Sequence, residues 1–154
     1  MSIATVYSFT TVEADCILGK NVVIGSNVFV GKQSVLGDGT RIQHGAFICR
    51  HAHIGKNVFI GPGAILTDDK HPRVNNLNYK AEPPVLEDGC SIGAGAVILP
   101  GVRIGKGAMI GAGAVVIRNV PAGSTYVGVP AVEIKEQPQL GSIVITNFEG
   151  FGIP

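Results

Sequence analysis

"LGKNVVIGSNVFVGKQSVLG", Leu18 to Gly37, carries an aliphatic residue at every sixth position, beginning with Leu18. Counting outward by six gives Val6, Val12, Leu18, Ile24, Val30, Leu36, Ile42, Ile48, Ile54, Ile60 and Leu66. A second row runs Leu86, Ile92, Ile98, Ile104, Ile110 and Val116, so all 17 leading positions are aliphatic. Four residues after a leader the side chain is small or modest, as at Val22, Val28, Ser34, Thr40, Ala46, Ala96 and Ala114; Lys70 is the exception. A period of six fits neither an amphipathic helix nor unbroken strand alternation. Short strands joined by turns account for it, with the leader and the residue four later pointing inward. Gly directly follows nine of the leaders, Gly19 and Gly93 among them, and this reading assigns those glycines to unusual turn dihedrals. A glycine-rich linker is excluded because linkers carry no aliphatic register.

Composition narrows the function classes. The chain has 154 residues, 45% hydrophobic and 15% charged, enough for one domain with its own core. A formal net charge of +1 provides no basic field for nucleic acid or an anionic membrane. No apolar run approaches the ~18 residues of a membrane span, and the N-terminus lacks a secretory pattern, so a cytoplasmic location is expected. Three cysteines without CxxC spacing fit neither a disulfide framework nor a zinc site. The expected division is a domain over 1–135 and a C-terminal tail over 136–154.

The repeat fails once, between Leu66 and Leu86, where 20 residues stand against the 18 of a three-hexad coil. Polar and turn-forming residues fill the gap, among them Asp68, Asp69, Lys70, His71, Pro72, Arg73 and Asn75. The reading is a loop over 67–85 thrown out from a corner, where a rigid solenoid most often carries its function. Residues 18 apart stack on adjacent coils. If that register survives, Arg50 lies beside Asp68, His51 beside Asp69 and His53 beside His71. Two histidines and two carboxylates then converge at the base of the loop, and a general acid–base site needs such groups.

The hexads of Leu18–Gly37 resemble those of the hexapeptide-repeat acyltransferases. That resemblance implies an all-β fold, a left-handed parallel β-helix with three hexads per coil; the hand comes from the family, since the general crossover rule favours the opposite one. "PAGSTYVGVPAVEIK", Pro121 to Lys135, resembles the family's closing segment with its VGxPA signature. "IGPGAILTDDKHPR", Ile60 to Arg73, is similar to the IGPxxxFTNDxxPR stretch of nucleotide-linked amino-sugar N-acyltransferases. Leu66 stands where those relatives carry Phe, and Asp68 where they carry Asn. "PPVLEDGCSIGAGAVILPGVRIGKGAMIGAGAVV", Pro83 to Val116, is shared more widely among sugar acetyltransferases.

The resemblance implies acetyl-CoA, or another acyl-CoA, as co-substrate and no metal. The acceptor it implies is the amine of a dTDP- or UDP-linked amino sugar. It further implies a homotrimer with sites between subunits. His71, in an "HP" pair, is the first candidate for a catalytic base; His51, held by Asp69, is the second. In related bacillosamine-type enzymes the position of that earlier base aligns with Arg50. Arg50, His53, Asp68 and Arg73 are candidate acceptor contacts. Ala94, Gly111, Ala112 and Pro130 occupy places matching the pantetheine groove, with Arg118 and Lys135 as phosphate partners. Backbone N–H groups around Gly93–Gly113 are candidates for an oxyanion site. The alternatives are an O-acetyltransferase dependent on His71, a γ-class carbonic anhydrase built on the histidines, and a noncatalytic scaffold.

Overall fold

A computed structural model describes residues 3–135; the tail expected over 136–154 lies outside the described residues. The chain is all-β, with 19 strands in the described part, all of two residues except Thr125–Val127. Strands three apart in sequence stack in parallel, with Thr125–Val127 added two strands after Met109–Ile110 and a last strand beyond it, to give sheets of eight, six and five strands. These sheets are the three faces of a left-handed parallel β-helix of hexapeptide repeats. The register is 18 residues: Thr5 pairs with Val23, Val23 with Arg41, and Arg41 with Phe59. Among the described strands only the closing one, Val132–Glu133, is antiparallel, pairing with Thr125–Val127 at the end of the first face.

The leaders do what their periodicity requires. From Ile24 to Val116 every one is buried, and the residues four places after a leader, Val22 to Ala114 apart from the exposed Lys70, fill the corners of the same core. Two of these are polar, Ser34 and Thr40, and both are fully bonded. Ser34 Oγ donates to the Gly31 or Cys49 carbonyl and accepts the Ala52 N–H at 3.2 Å. Thr40 Oγ1 donates to the Gly55 carbonyl at 2.8 Å and accepts the Val58 N–H. A buried hydroxyl is tolerable on those terms. In the first described coil the leader Val6 is exposed.

The glycines that follow the leaders serve a purpose other than the expected one. None of the nine has a positive φ; the left-handed residue of each turn lies two places later. Gly63, with φ of 67°, shows the pattern, and Asn21, Asn27, Asn57 and His51 take the same conformation elsewhere. Asn is the non-glycine residue best suited to it. The glycine after the leader is needed for space. A Cβ on Gly31 would lie 2.5 Å from the Arg50 nitrogen, and one on Gly61 2.6 Å from the Ala94 nitrogen. Both neighbours are backbone of the next coil.

The break is larger than a comparison with one coil suggests. Val85–Leu86 stacks directly on His53–Ile54, and Ile65 pairs with Val97. Partners across the break are thus 32 residues apart rather than 18, an insertion of 14. The proper reference is the next hexad, six residues on, because the solenoid resumes without losing a rung.

Candidate functional site

The loop leaves at the corner between the second and third faces. Its root is tied to the following coil: the Thr67 N–H and hydroxyl both donate to the Ile98 carbonyl, at 3.1 and 3.0 Å. Its two limbs meet at a neck. There the Glu82 N–H donates to the Asp68 carbonyl at 2.8 Å, the Gly101 N–H donates to the Glu82 carbonyl, and Lys70 forms an ion pair with the Glu82 carboxylate. That pair holds the Glu82 carboxyl below its ordinary range, the Lys70 hydrogen bond being the largest cause.

The stacking expected of Arg50 and Asp68 is present. The 18-residue register that pairs Ile65 with Phe47 carries on for three more residues, and Arg50 Nε lies 3.3 Å from Asp68 Oδ2. Tyr79, on the returning limb, donates its hydroxyl to the same oxygen at 2.7 Å. The Arg50 guanidinium carbon sits 5.3 Å from the centre of the Tyr79 ring, within cation–π range. Each of the three side chains therefore contacts the other two. Desolvation, followed by the hydrogen bond to Asp68 and its charge, pushes the Tyr79 phenol up to about 12. Cys49, buried behind the cluster, is raised to about 12, mainly by burial and then by the Asp68 charge; as a thiol it is a core residue rather than a nucleophile.

Beyond Asp68 the register ends, so the other two expected pairs do not form. Asp69 turns into the loop, where its Oδ1 accepts the His71 N–H at 2.9 Å. His53 stands on the third face between Val35 and Val85, not beneath His71. His51 occupies a left-handed turn position at the exposed corner. Among the described residues the rings of His51, His53 and His71 have no hydrogen-bond or ion-pair partner. Arg73 is exposed, with Nη1 donating to the Pro72 carbonyl.

Two cavities flank Asp68, whose side chain is 17% exposed. One of about 600 Å³ lies under the loop, lined by Phe47, Thr67, Asp69, Pro72, Leu99 and Ile117 as well as Asp68 itself. The other, about 330 Å³, opens toward Phe29, Lys32 and Arg50. A third, about 420 Å³ and mostly apolar, lies on the first face between Phe59, Met109, Gly111, Ala112, Val127 and Ile134. Gly111 and Ala112 thus share a cavity. Ala94 lies exposed one coil from Ala112, Pro130 and Lys135 are exposed beside the closing strand in sequence, and Arg118 is exposed.

Tyr79 and the Lys70–Glu82 pair were not anticipated from sequence. The available signal was that Tyr79 is the only Phe, Tyr or Trp in the loop.

The bacterial transferase hexapeptide model (six repeats) matches residues 33–68 and 83–118, and a hexapeptide repeat of succinyl-transferase matches 10–49. The gap between the first two segments is the loop. The chain belongs to the hexapeptide-repeat family. No curated protein sequence matches this hexapeptide-repeat chain. Among solved structures, the acetyltransferase domain of PglB from Neisseria gonorrhoeae is 26% identical, covers 86% of this chain and 58% of its own, and has a TM-score of 0.75. WeeI from Acinetobacter baumannii is 27% identical, with 82% and 56% covered and a TM-score of 0.71. A histidine-to-asparagine mutant of perosamine N-acetyltransferase from Caulobacter crescentus, in complex with CoA and GDP-perosamine, is 26% identical, with 87% and 57% covered and a TM-score of 0.67. The PglB domain is also known in complex with acetyl coenzyme A. This chain spans less than two thirds of the length of each of these proteins.

Proposed function

We propose that the protein transfers an acyl group from an acyl-CoA, most simply acetyl-CoA, to the amine of a nucleotide-linked amino sugar. The observation that carries this reading is the Asp68 carboxylate, fixed at the edge of a roughly 600 Å³ cavity beneath a loop inserted into an acyltransferase scaffold. One of its oxygens is committed to Arg50 and Tyr79, and the other accepts no hydrogen bond among the described residues. A carboxylate so held suits an ammonium or amine better than an uncharged hydroxyl. The resemblance to sugar N-acetyltransferases, one bound to CoA and GDP-perosamine, supports the same reading. The nucleotide is a dTDP- or UDP-type carrier on the resemblance of the loop sequence.

The reaction joins the acceptor nitrogen to the thioester carbonyl carbon, breaks the carbon–sulfur bond and releases CoA. The amine must shed a proton before or during attack. His71 is the first candidate to take it, with its backbone held by Asp69; His51 is the second, and CoA thiolate or solvent is the remaining destination. Arg50, His53 and Arg73 are assigned to the acceptor. Ala94, Gly111, Ala112 and Pro130 are assigned to the pantetheine arm, and Arg118 and Lys135 to the CoA phosphates. The protein acts as a homotrimer with sites between subunits. In support, the second face carries Phe29, Phe47, Ile65, Val97 and Val115 outward, one apolar stripe along most of its length.

CoA release from acetyl-CoA, measured against a panel of dTDP-, UDP- and GDP-linked amino sugars and their hydroxyl counterparts, tests the reading. Turnover with amines is expected. Turnover with hydroxyl acceptors alone would replace it with O-acetyl transfer.

A further inference from the structure

Asp68 is held by two groups from different parts of the chain, and both use the same oxygen. Arg50 comes from the coil below, 3.3 Å from Oδ2, and the Tyr79 hydroxyl from the returning limb of the loop, 2.7 Å from it. The third side of the triangle, Arg50 over the Tyr79 ring, adds a cation–π contact that favours both staying in place. A free aspartate rotates about χ2 and presents either oxygen. Here any rotation short of a half-turn, which merely exchanges two equivalent oxygens, would break both contacts, so the carboxylate plane has one orientation. Oδ1 then remains as the oxygen available to a ligand, on a side chain that lines both cavities at the loop base.

We propose that Tyr79 is a positioning residue for the acceptor: by occupying Asp68 Oδ2 together with Arg50, it leaves Oδ1 fixed as the receptor for the sugar amine. This inference rests on the acyltransferase reading above. It adds a residue and a basis for selectivity. A rigid, acceptor-only oxygen receives an N–H from an amine or ammonium, and a misplacement of the order of 1 Å is costly in a site of this kind. Phenol suits the role because its hydroxyl stays protonated, and therefore a donor, throughout the working pH range.

The test uses the full chain, acetyl-CoA and an amino-sugar acceptor that the wild type turns over. Tyr79→Phe keeps the ring beneath Arg50 and removes only the hydroxyl. Expected is a loss of roughly 10-fold in acceptor kcat/KM, carried by the acceptor KM, with the acetyl-CoA KM unchanged, as for loss of a hydrogen bond to a charged group. Combined with Asp68→Asn it should cost no more than Asp68→Asn alone, since both act through one carboxylate. Tyr79→Leu, which also removes the ring, separates packing from hydrogen bonding. The link itself is read without turnover from the ultraviolet titration of the phenol, as wild type minus Tyr79→Phe. That ionisation should fall toward the ordinary tyrosine value in Asp68→Asn.

Wild-type kinetics in Tyr79→Phe, with loss only in Tyr79→Leu, would overturn the proposal. So would additive losses in the double variant, or a phenol titration indifferent to Asp68→Asn. Absence of wild-type turnover with every amine would refute the N-acyl-transfer reading instead, and this inference with it.

Discussion

Two classes of glycine alternate along the solenoid, and substituting one of each separates the forces that require them. Gly31 lacks a positive φ, but a Cβ there would meet the Arg50 nitrogen at 2.5 Å and the Arg50 Cα and Cys49 carbonyl carbon at 2.8 Å. All three are backbone atoms of the next coil, so no rotamer change relieves the clash. Gly31→Ala should therefore cost about 3 kcal/mol, the upper part of the usual overpacking range. Gly63 is the reverse case: φ is 67°, and a Cβ would find nothing within 4 Å. Gly63→Ala meets a left-handed penalty of about 1–2 kcal/mol, offset in part by the lower entropy of its unfolded chain, for a net of about 1 kcal/mol. Gly63→Asn should cost still less, since Asn21, Asn27 and Asn57 hold the equivalent turn position. Thermal unfolding of the purified variants reads the difference. At ~2–4 °C per kcal/mol for a chain of this size, Gly31→Ala should lower Tm by about 6–12 °C and Gly63→Ala by about 2–4 °C. Equal losses at the two positions, or Gly63→Asn worse than Gly63→Ala, would refute the argument.

Two further outcomes follow from the loop and the apolar face. The Glu82 carboxyl is held below its ordinary value of 4.5 by Lys70, so the neck contact is intact above that pH and is lost as pH falls through the lowered value. Proteolysis within 71–80 by an acid-active protease should accelerate on that descent, and Glu82→Gln should be cleaved readily with no such transition. On the second face, Phe47→Glu should dissociate the proposed trimer, read as molar mass by light scattering; an unchanged mass would exclude that stripe as the contact.

Most of the fold was legible because inward side chains obey a period, and the aliphatic leaders from Ile24 to Val116 are all buried. The glycines were misassigned for a definite reason. Sequence displays where Gly occurs but not whether it is needed for its backbone angle or for its missing Cβ, and the two positions lie only two residues apart, as at Gly61 and Gly63. At the site, Arg50 and Asp68 could be paired by counting because the register outlasts Leu66 by two residues. His51 with Asp69 and His53 with His71 could not, since counting assumes a coil that the chain has already left. Tyr79 reaches Asp68 by the path of an aperiodic loop, and no spacing rule encodes that path.

The uninterrupted stacking of Val85–Leu86 on His53–Ile54 beneath the insertion bears on how such a protein changes over time. A segment whose entry and exit rungs already match their neighbours is separable from the load it sits on. Its length and side chains are then free to drift, be shortened or be exchanged while the spiral above and below keeps its shape. Selection for a different acceptor can act on one appendage without renegotiating the stability of the whole chain.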